Sequence, residues 1–299
     1  MSDYEIWHDE YKGDYTNNEY WHGIFFLPVE KRSEVIRLLN DIKSEYKINK
    51  NKVVKFAGSL SDPNNRTSQI VSNNLNLFNH LLITKEAKAK TSIFHISKKK
   101  VYENNYSPFL SIQGVFGCKF VLFFIPDNHQ SFTKYSMNYA KRVETTFRMG
   151  FKGGSHLLFS KHNHINIVKF YFDGNKHHGR HIDIDRITKG FFKSNFNIDE
   201  NCIIDDRQMA ERDNDSKILM TFVDNIIGAW SAKLKFKNDP GNILFPLTDL
   251  YKRLLNNKII KNPYSRWYRS MSVSKLMIEN DQICFPDFFE NEYQLKLFC

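Results

Sequence analysis

Hydrophobic and polar positions follow two periods along the chain. The first stretch, Tyr4-Glu5-Ile6-Trp7-His8-Asp9-Glu10, carries its apolar bulk at Ile6 and Trp7 and reads as a short buried strand. It ends in two adjacent acids and breaks at Tyr11-Lys12-Gly13-Asp14. Successive strand side chains face opposite ways, so either Asp9 or Glu10 can enter a cleft beside the strand end while the other looks away. His22 to Pro28 predicts a second strand, ended by Pro28 and joined to the first through a hairpin over Lys12 to Tyr20. Glu30 to Tyr46 changes to helical spacing, with Val35, Leu38, Leu39 and Ile42 on one face. Val53 to Phe56 predicts a third short strand, and Ser61 to Arg66 a polar turn. Ser68 to Leu82 predicts a second amphipathic helix with Ile70, Leu77 and Leu81 inward, and Ser92 to Ser97 alternates as a strand does. Phe109 to Phe124 fits a strand or a buried helix, since periodicity does not separate the two at this length. Phe132 to Met149 predicts a helix with Tyr135, Tyr139, Val143 and Phe147 inward and Lys141, Arg142 and Arg148 toward solvent.

Ile165 to Asp173 is the next clear strand, bracketed by His162-Asn163-His164 and the turn Asp173-Gly174-Asn175. Again an acid ends an apolar strand. Ile182 to Phe192 suits a helix and Cys202-Ile203-Ile204 a short strand. Asp215 or Ser216 is suited to N-cap a long helix reaching about Lys235. Met220, Val223, Ile227, Trp230 and Leu234 form its core stripe. A second stripe, Thr221, Asp224, Gly228 and Ser231, is small except for Asp224, its only charge, so this face can approach another element or a substrate closely. After Asp239-Pro240-Gly241, short helices are predicted at Leu247 to Leu255 and Ser270 to Ile278, separated by Asn262-Pro263-Tyr264. The expected organisation is an α/β domain over residues 1–235 with an insertion around 98–160, and a helical C-terminal extension over 236–299 packed on the same domain.

Composition narrows the class. The 299 residues are 41% hydrophobic and 15% aromatic, which is enough for a packed core. A formal charge of +10 favours a polyanion partner, above all nucleic acid. Cys118, Cys202, Cys284 and Cys299 form no C-x-x-C pair, so zinc-ribbon and redox motifs are unsupported and free thiols in a reducing cytoplasm are expected. The acidic N-terminus has no apolar core like that of a signal peptide. Phe109 to Pro126, the longest apolar stretch, is broken by Gln113, Gly114, Gly117 and Lys119, so no membrane span is expected. The chain contains neither G-x-x-x-x-G-K-[ST] nor G-x-S-x-G, which removes support for a nucleotide triphosphatase or a serine hydrolase.

Three acids stand out by position: Asp9 ending the first strand, Asp173 ending a later one, and Asp224 on the small face of a late helix. Their order resembles the ribonuclease H-like plan, a mixed central sheet flanked by helices. There, carboxylates from the first strand, the fourth strand and the last core helix converge on one or two Mg²⁺ or Mn²⁺ ions. Two metals about 3.5–4 Å apart clamp the attacking and leaving oxygens of phosphoryl transfer, so such carboxylates must lie close together. The chain is also similar to the ribonuclease H-like domain-of-unknown-function family numbered thirty-eight hundred. Members open with a strand and Asp-Glu-Ser, carry Glu-x-Lys after the first helix, end a middle strand in Asp, and close with a helix reading Leu-Gln-Leu-Ala-Asp-x-x-x-Gly. The corresponding stretches here are Ile6-Trp7-His8-Asp9-Glu10-Tyr11, Val53-Val54-Lys55-Phe56, Lys169-Phe170-Tyr171-Phe172-Asp173-Gly174, and Met220-Thr221-Phe222-Val223-Asp224 followed by Gly228. Tyr11 replaces the Ser, Val53 the Glu of Glu-x-Lys, and Met220 and Phe222 alter the closing helix.

The resemblance implies a metal-dependent phosphodiesterase acting on DNA or RNA. Asp9, Asp173 and Asp224 would be the ligands of Mg²⁺ or Mn²⁺, Glu10 a supporting acid and Lys55 a phosphate contact. The alternative is a non-catalytic nucleic-acid-binding or assembly module of the same fold, motivated by the missing Glu; a protein partner or homo-oligomer stays open. Other candidates carry less. Lys176-His177-His178-Gly179-Arg180-His181 suits a basic loop more than a zinc site, because Gly179 opposes the helix that would align His177 and His181. Tyr264, Arg266, Trp267, Tyr268 and Arg269 could stack bases, or pack the C-terminal extension. Lys98-Lys99-Lys100 is a charged loop that could touch phosphate.

Overall fold

Neighbouring residues of the first strands are buried on both sides, which makes them the centre of a sheet covered on both faces. Ile6 and Trp7 in β1 (Ser2–Lys12) are fully buried, as are Ile24, Phe25, Phe26 and Leu27 in β2 (Glu19–Pro28). The structure of the protein, a computed structural model, describes residues 2–12, 19–56, 65–82, 116–126, 138–159, 165–174, 196–235, 271–275, 277–279 and 282–284. In chain order the remaining main elements are α1 (Arg32–Glu45), α2 (Arg66–Leu81), β3 (Lys119–Pro126), α3 (Tyr139–Leu158), β4 (Ile165–Asp173), β5 (Phe196–Arg207), α4 (Asn214–Lys235) and β6 (Met271–Lys275). The short strands β7 (Met277–Glu279) and β8 (Gln282–Cys284) form a separate antiparallel pair.

The main sheet runs β5-β4-β1-β2-β3-β6. β1, β2 and β3 are antiparallel in succession, while β4 lies parallel to β1, β5 parallel to β4, and β6 parallel to β3. The sheet separates two cores. On one face α1, α2 and α4 pack against Trp7, Phe25, Leu27, Phe120 and Tyr171. On the other, α3 lays Phe147, Phe151 and Leu158 on Ile6, Phe26, Phe123 and Phe172. Among the described residues no helix is long and apolar enough to cross a membrane.

Side-chain oxygens start the helices. Asn65 Oδ1 accepts the Ser68 N–H at the head of α2, and Asn138 Oδ1 accepts that of Lys141 at the head of α3. For α4 the cap is Asp213, ahead of the Asp215 or Ser216 expected. Its Oδ1 accepts the Ser216 N–H at 2.8 Å and its Oδ2 the Ser216 hydroxyl at 2.8 Å. Ser216 is thereby drawn inside the first turn.

Three expectations are corrected. Val53 to Phe56 is not a strand, although Val54 and Phe56 are buried and Val53 and Lys55 exposed as alternation predicts. Its backbone partner is a side chain: Asn225 of α4 donates its amide to the Val54 carbonyl at 2.9 Å. The third antiparallel place belongs to β3, from within the span expected as an insertion, and so Phe109 to Phe124 resolves as strand from Lys119 onward. Ser270 to Ile278 is not helical; Met271–Lys275 pairs with β3 and Met277–Glu279 pairs with β8. Met271 and Val273 alternate with serines at the strand period, and the edge of β3 supplies the backbone partners. The described part of the C-terminal extension is therefore strand.

The helix expected to stop at Met149 runs on to Leu158 through three glycines. Gly150 and Gly154 face β3 closely enough that a Cβ would stand 2.0 Å from the Phe123 ring and 2.3 Å from Val121 Cγ1. They mark close packing, not a break. The stretches 92–97, 98–100, 176–181, 182–192, 247–255 and 264–269 lie outside the described residues.

Candidate active site

The pleat of β1 decides which acid faces which layer. Trp7 belongs to the core under α4, while Ile6 and Phe172 belong to the core under α3. Asp9, two residues past Trp7, shares its face; Glu10 points to the opposite side. β4 carries the same pattern. Trp7 is in register with Tyr171 and stacks on it at 3.6 Å between ring centroids, 8° from parallel. One step on each strand past the pair His8 and Phe172 are Asp9 and Asp173, on the Trp7–Tyr171 face at the C-terminal ends of two parallel strands.

The third acid comes from α4, and glycines seat that helix. Gly23 of β2 is the register partner of Asp9, and a Cβ there would lie 2.5 Å from Ile227 Cγ1 of α4. Gly228 is pressed on Phe56, with 2.7 Å from a hypothetical Cβ to the ring. Asp224 lies one turn before these contacts. Ile227 of the core stripe thus meets the sheet, while Gly228 of the small stripe meets the segment carrying Lys55.

Electrostatics tie the group together. Asp9 is 6% exposed. Burial, and then the charges of Asp224, Glu10 and Asp173, push its carboxyl well above the usual range, against the Glu10 N–H that donates to Asp9 Oδ1 at 2.8 Å. The Asp224 carboxyl is also raised, mainly by burial; the Lys55 ammonium opposes the rise and Asp173 adds to it. The five site residues expected from the sequence are thus linked in a chain of pairs: Asp9 to Asp224, Glu10 and Asp173, and Asp224 to Asp173 and Lys55. Lys55 itself is exposed, and no carboxylate stands at position 53 beside it.

The chemistry of this donor set, carboxylate oxygens crowded at the edge of a buried layer, suits a hard divalent cation that relieves mutual repulsion. Among the described residues no three His, Cys, Asp or Glu side chains are close enough to hold a metal ion as they stand. Asp173 is engaged elsewhere in part: its Oδ1 accepts the Met209 N–H at 2.7 Å. Mg²⁺ in particular keeps several waters and is held through one or two carboxylates plus substrate phosphate, not a full protein cage. Two of these carboxylates are enough for an ion held in that way.

Sequence reasoning missed what holds Asp173. Met209 opens a 3₁₀ turn, Met209–Glu211, fastened by the buried Arg212. One guanidinium nitrogen of Arg212 donates to the carbonyls of Phe172, Asp205 (3.1 Å) and Arg207 (2.9 Å), and another lies 3.1 Å from Asp205 Oδ1. Arg207 forks onto both oxygens of Asp205 at 2.8 Å and, aided by Arg212, holds that carboxyl below its usual range. The only sequence signal was Asp205-Asp206-Arg207 ahead of a helix start, a pattern shared by many solvated turns.

A second missed feature backs β1 on the α3 side. The Thr146 hydroxyl donates to the Arg142 carbonyl at 2.7 Å, which leaves its oxygen to accept from His22 Nε2 at 2.7 Å; His22 Nδ1 then faces His8 Nε2 at 3.1 Å. Both rings are fully buried among Phe123, Phe147 and Phe172.

No family model matches the sequence, and no curated protein matches it.

Proposed function

We propose that the protein is a metal-dependent phosphodiesterase of ribonuclease H-like plan that acts on nucleic acid. The observation that carries this reading is the meeting of Asp9 and Asp173, side by side on parallel strands, with Asp224 from a helix crossing the same face. The strand order β5-β4-β1-β2-β3, with the first three strands antiparallel and β4 and β5 parallel to β1, supports it. So does the resemblance at the same residues to the domain-of-unknown-function family numbered thirty-eight hundred.

Asp9 and Asp224 would hold the Mg²⁺ or Mn²⁺ ion beside substrate phosphate, with Asp173 next to Asp9 adding negative charge to the site. When bound, such an ion supplies Lewis-acid chemistry to a phosphodiester, activating the attacking water and offsetting phosphate charge. Lys55, exposed beside Asp224, would bind a non-bridging phosphate oxygen. Glu10 supports the site by donating its backbone N–H to Asp9 and by adding negative potential.

The test is cleavage of labelled single- and double-stranded DNA, RNA and hybrid with Mg²⁺, Mn²⁺ or chelator. Asp9→Ala and Asp224→Ala are expected to reduce metal-dependent cleavage at least ~10³-fold while leaving the folded circular-dichroism spectrum intact. Cleavage unchanged in both variants would sink the assignment. The second reading, a binding module without catalysis, is favoured by the exposed Val53 where a Glu would accompany Lys55; salt-sensitive binding without metal dependence or cleavage would mark it.

A further inference from the structure

The loop that brings Lys55 to Asp224 carries more cations than that contact needs. Between Tyr46 and Phe56 it holds Lys47, Lys50, Lys52 and Lys55 and no acid. All four are exposed, and among the described residues no carboxylate forms an ion pair with Lys47, Lys50 or Lys52.

The loop is held firmly in place. Lys43 is buried with its ammonium donating to the Lys50 and Lys52 carbonyls at 2.9 Å each, and burial lowers its pKa. Asn49 Oδ1 accepts the Asn51 N–H, and Asn225, adjacent to Asp224, holds the Val54 carbonyl. At the other end α1 closes with the Lys47 N–H on Ser44 O and the Ile48 N–H on Lys43 O, each 3.0 Å, the double bond pattern that ends many helices. The residue at the turn is Lys47, at φ +54°, where glycine is favoured. A cation at a helix C-terminus is favourable, but that effect fades within one turn and leaves Lys50 and Lys52 without an explanation.

We infer that the loop 46–55 is a preorganised rim that docks the sugar-phosphate backbone of one nucleic-acid strand and leads it to the carboxylate cluster. The inference rests on the phosphodiesterase reading of that cluster. Lysine ammonium groups are point charges suited to phosphate and indifferent to base identity. Because all four lie on one loop, they follow one backbone, not the two phosphate rows that flank a groove.

The test is binding in chelator, so that it does not depend on cleavage. Fluorescence anisotropy with labelled oligo-dT and oligo-rU is read across a potassium chloride series. In Lys47→Gln/Lys50→Gln/Lys52→Gln the slope of log Kobs against log salt is expected to flatten by about 2, at roughly 0.7 for each phosphate no longer neutralised, with affinity down on the order of tenfold. Lys47→Gly alone is expected to flatten the slope by about 0.7 while melting higher than the wild type. Arg37→Gln, on the exposed face of α1, is expected to leave the slope unchanged. The oligo-dT and oligo-rU arms show whether DNA or RNA supplies the strand.

An unchanged slope in the triple variant, no binding of either oligonucleotide by the wild type, or an equal loss per charge in Arg37→Gln overturns the inference. So does loss of binding to phosphatidylserine vesicles with oligonucleotide binding intact, which would make the loop a membrane contact. Flattened slopes in a protein that shows no metal-dependent cleavage would remove the phosphodiesterase reading and leave the docking rim standing.

Discussion

Asp9 carries an electrostatic conflict that the rest of the site shares. Its carboxyl is buried beside three other acids and holds its proton to a higher pH in the folded chain than in the unfolded one. Between those two values the folded chain binds more protons, so this group's contribution to stability falls as pH rises through the window, and the loss persists above it. Asp205 has the opposite sign: its lowered pKa gives stability that is present above the unfolded value and lost as pH falls through the folded one. In chelator at neutral pH, Asp9→Asn is expected to stabilise the protein by about 1–3 kcal/mol, since the amide still accepts the Glu10 N–H and brings no charge. The gain should shrink as pH falls toward about 3, below the usual aspartate value of about 3.9, where the wild-type carboxyl is protonated in both states. Thermal melts over a pH series read both effects; a variant less stable than the wild type at neutral pH would show that burial of the charge is not the governing cost. Loss of cleavage together with gain of stability is the signature of a residue kept for chemistry.

At the scale of elements, the turn after β5 acts on β4. The Met209 N–H holds one oxygen of Asp173, and Arg212 clamps the turn to the β4 and β5 carbonyls. The turn therefore fixes the orientation of the Asp173 carboxylate. Gln208 has φ −61° and ψ 143°, an extended conformation suited to the residue before a proline, and Met209 is the first residue of its turn. Met209→Pro thus removes the N–H with little backbone change, while Met209→Ala removes the side chain and keeps the N–H. Metal-dependent cleavage is expected to fall at least about tenfold more in the proline variant, with the larger change in the metal concentration needed. Equal losses would assign the effect to packing of the Met209 side chain. The sequence could show that Asp173 ends a strand, because eight residues of apolar and alternating character, 165–172, lead into the turn it opens. It could not show Arg212, because nothing local distinguishes an arginine that satisfies three carbonyls from one in water. Asp224 was legible for the converse reason: a single charge among Thr221, Gly228 and Ser231 on a helix face is visible at a spacing of three and four.

Among the described residues the main sheet carries a core on each face, and its two outer strands come from distant parts of the chain. β1, β2 and β4 were legible because each is a contiguous apolar run bounded by turns. β6 was not, since five residues become a strand only where another strand's edge accepts them, and that edge belongs to β3. Met271 is 1% exposed in the core shared with α4. Met271→Asp is expected to cost at least about 3 kcal/mol and Met271→Leu less than about 1.5 kcal/mol, read by thermal melts with light scattering. A near-native melting temperature for the aspartate would remove β6 from the core.

The pairing of Phe120 with Met271 also imposes an order in time. Contacts between residues so far apart in the chain close late, after the loop-closure entropy has been met. Until then β3 is a finished strand with one side of its ladder open, a template that any extended segment can copy. The same backbone groups that complete the sheet in the native protein therefore set a race during folding, between residues 271–275 of the same chain and an exposed strand of another.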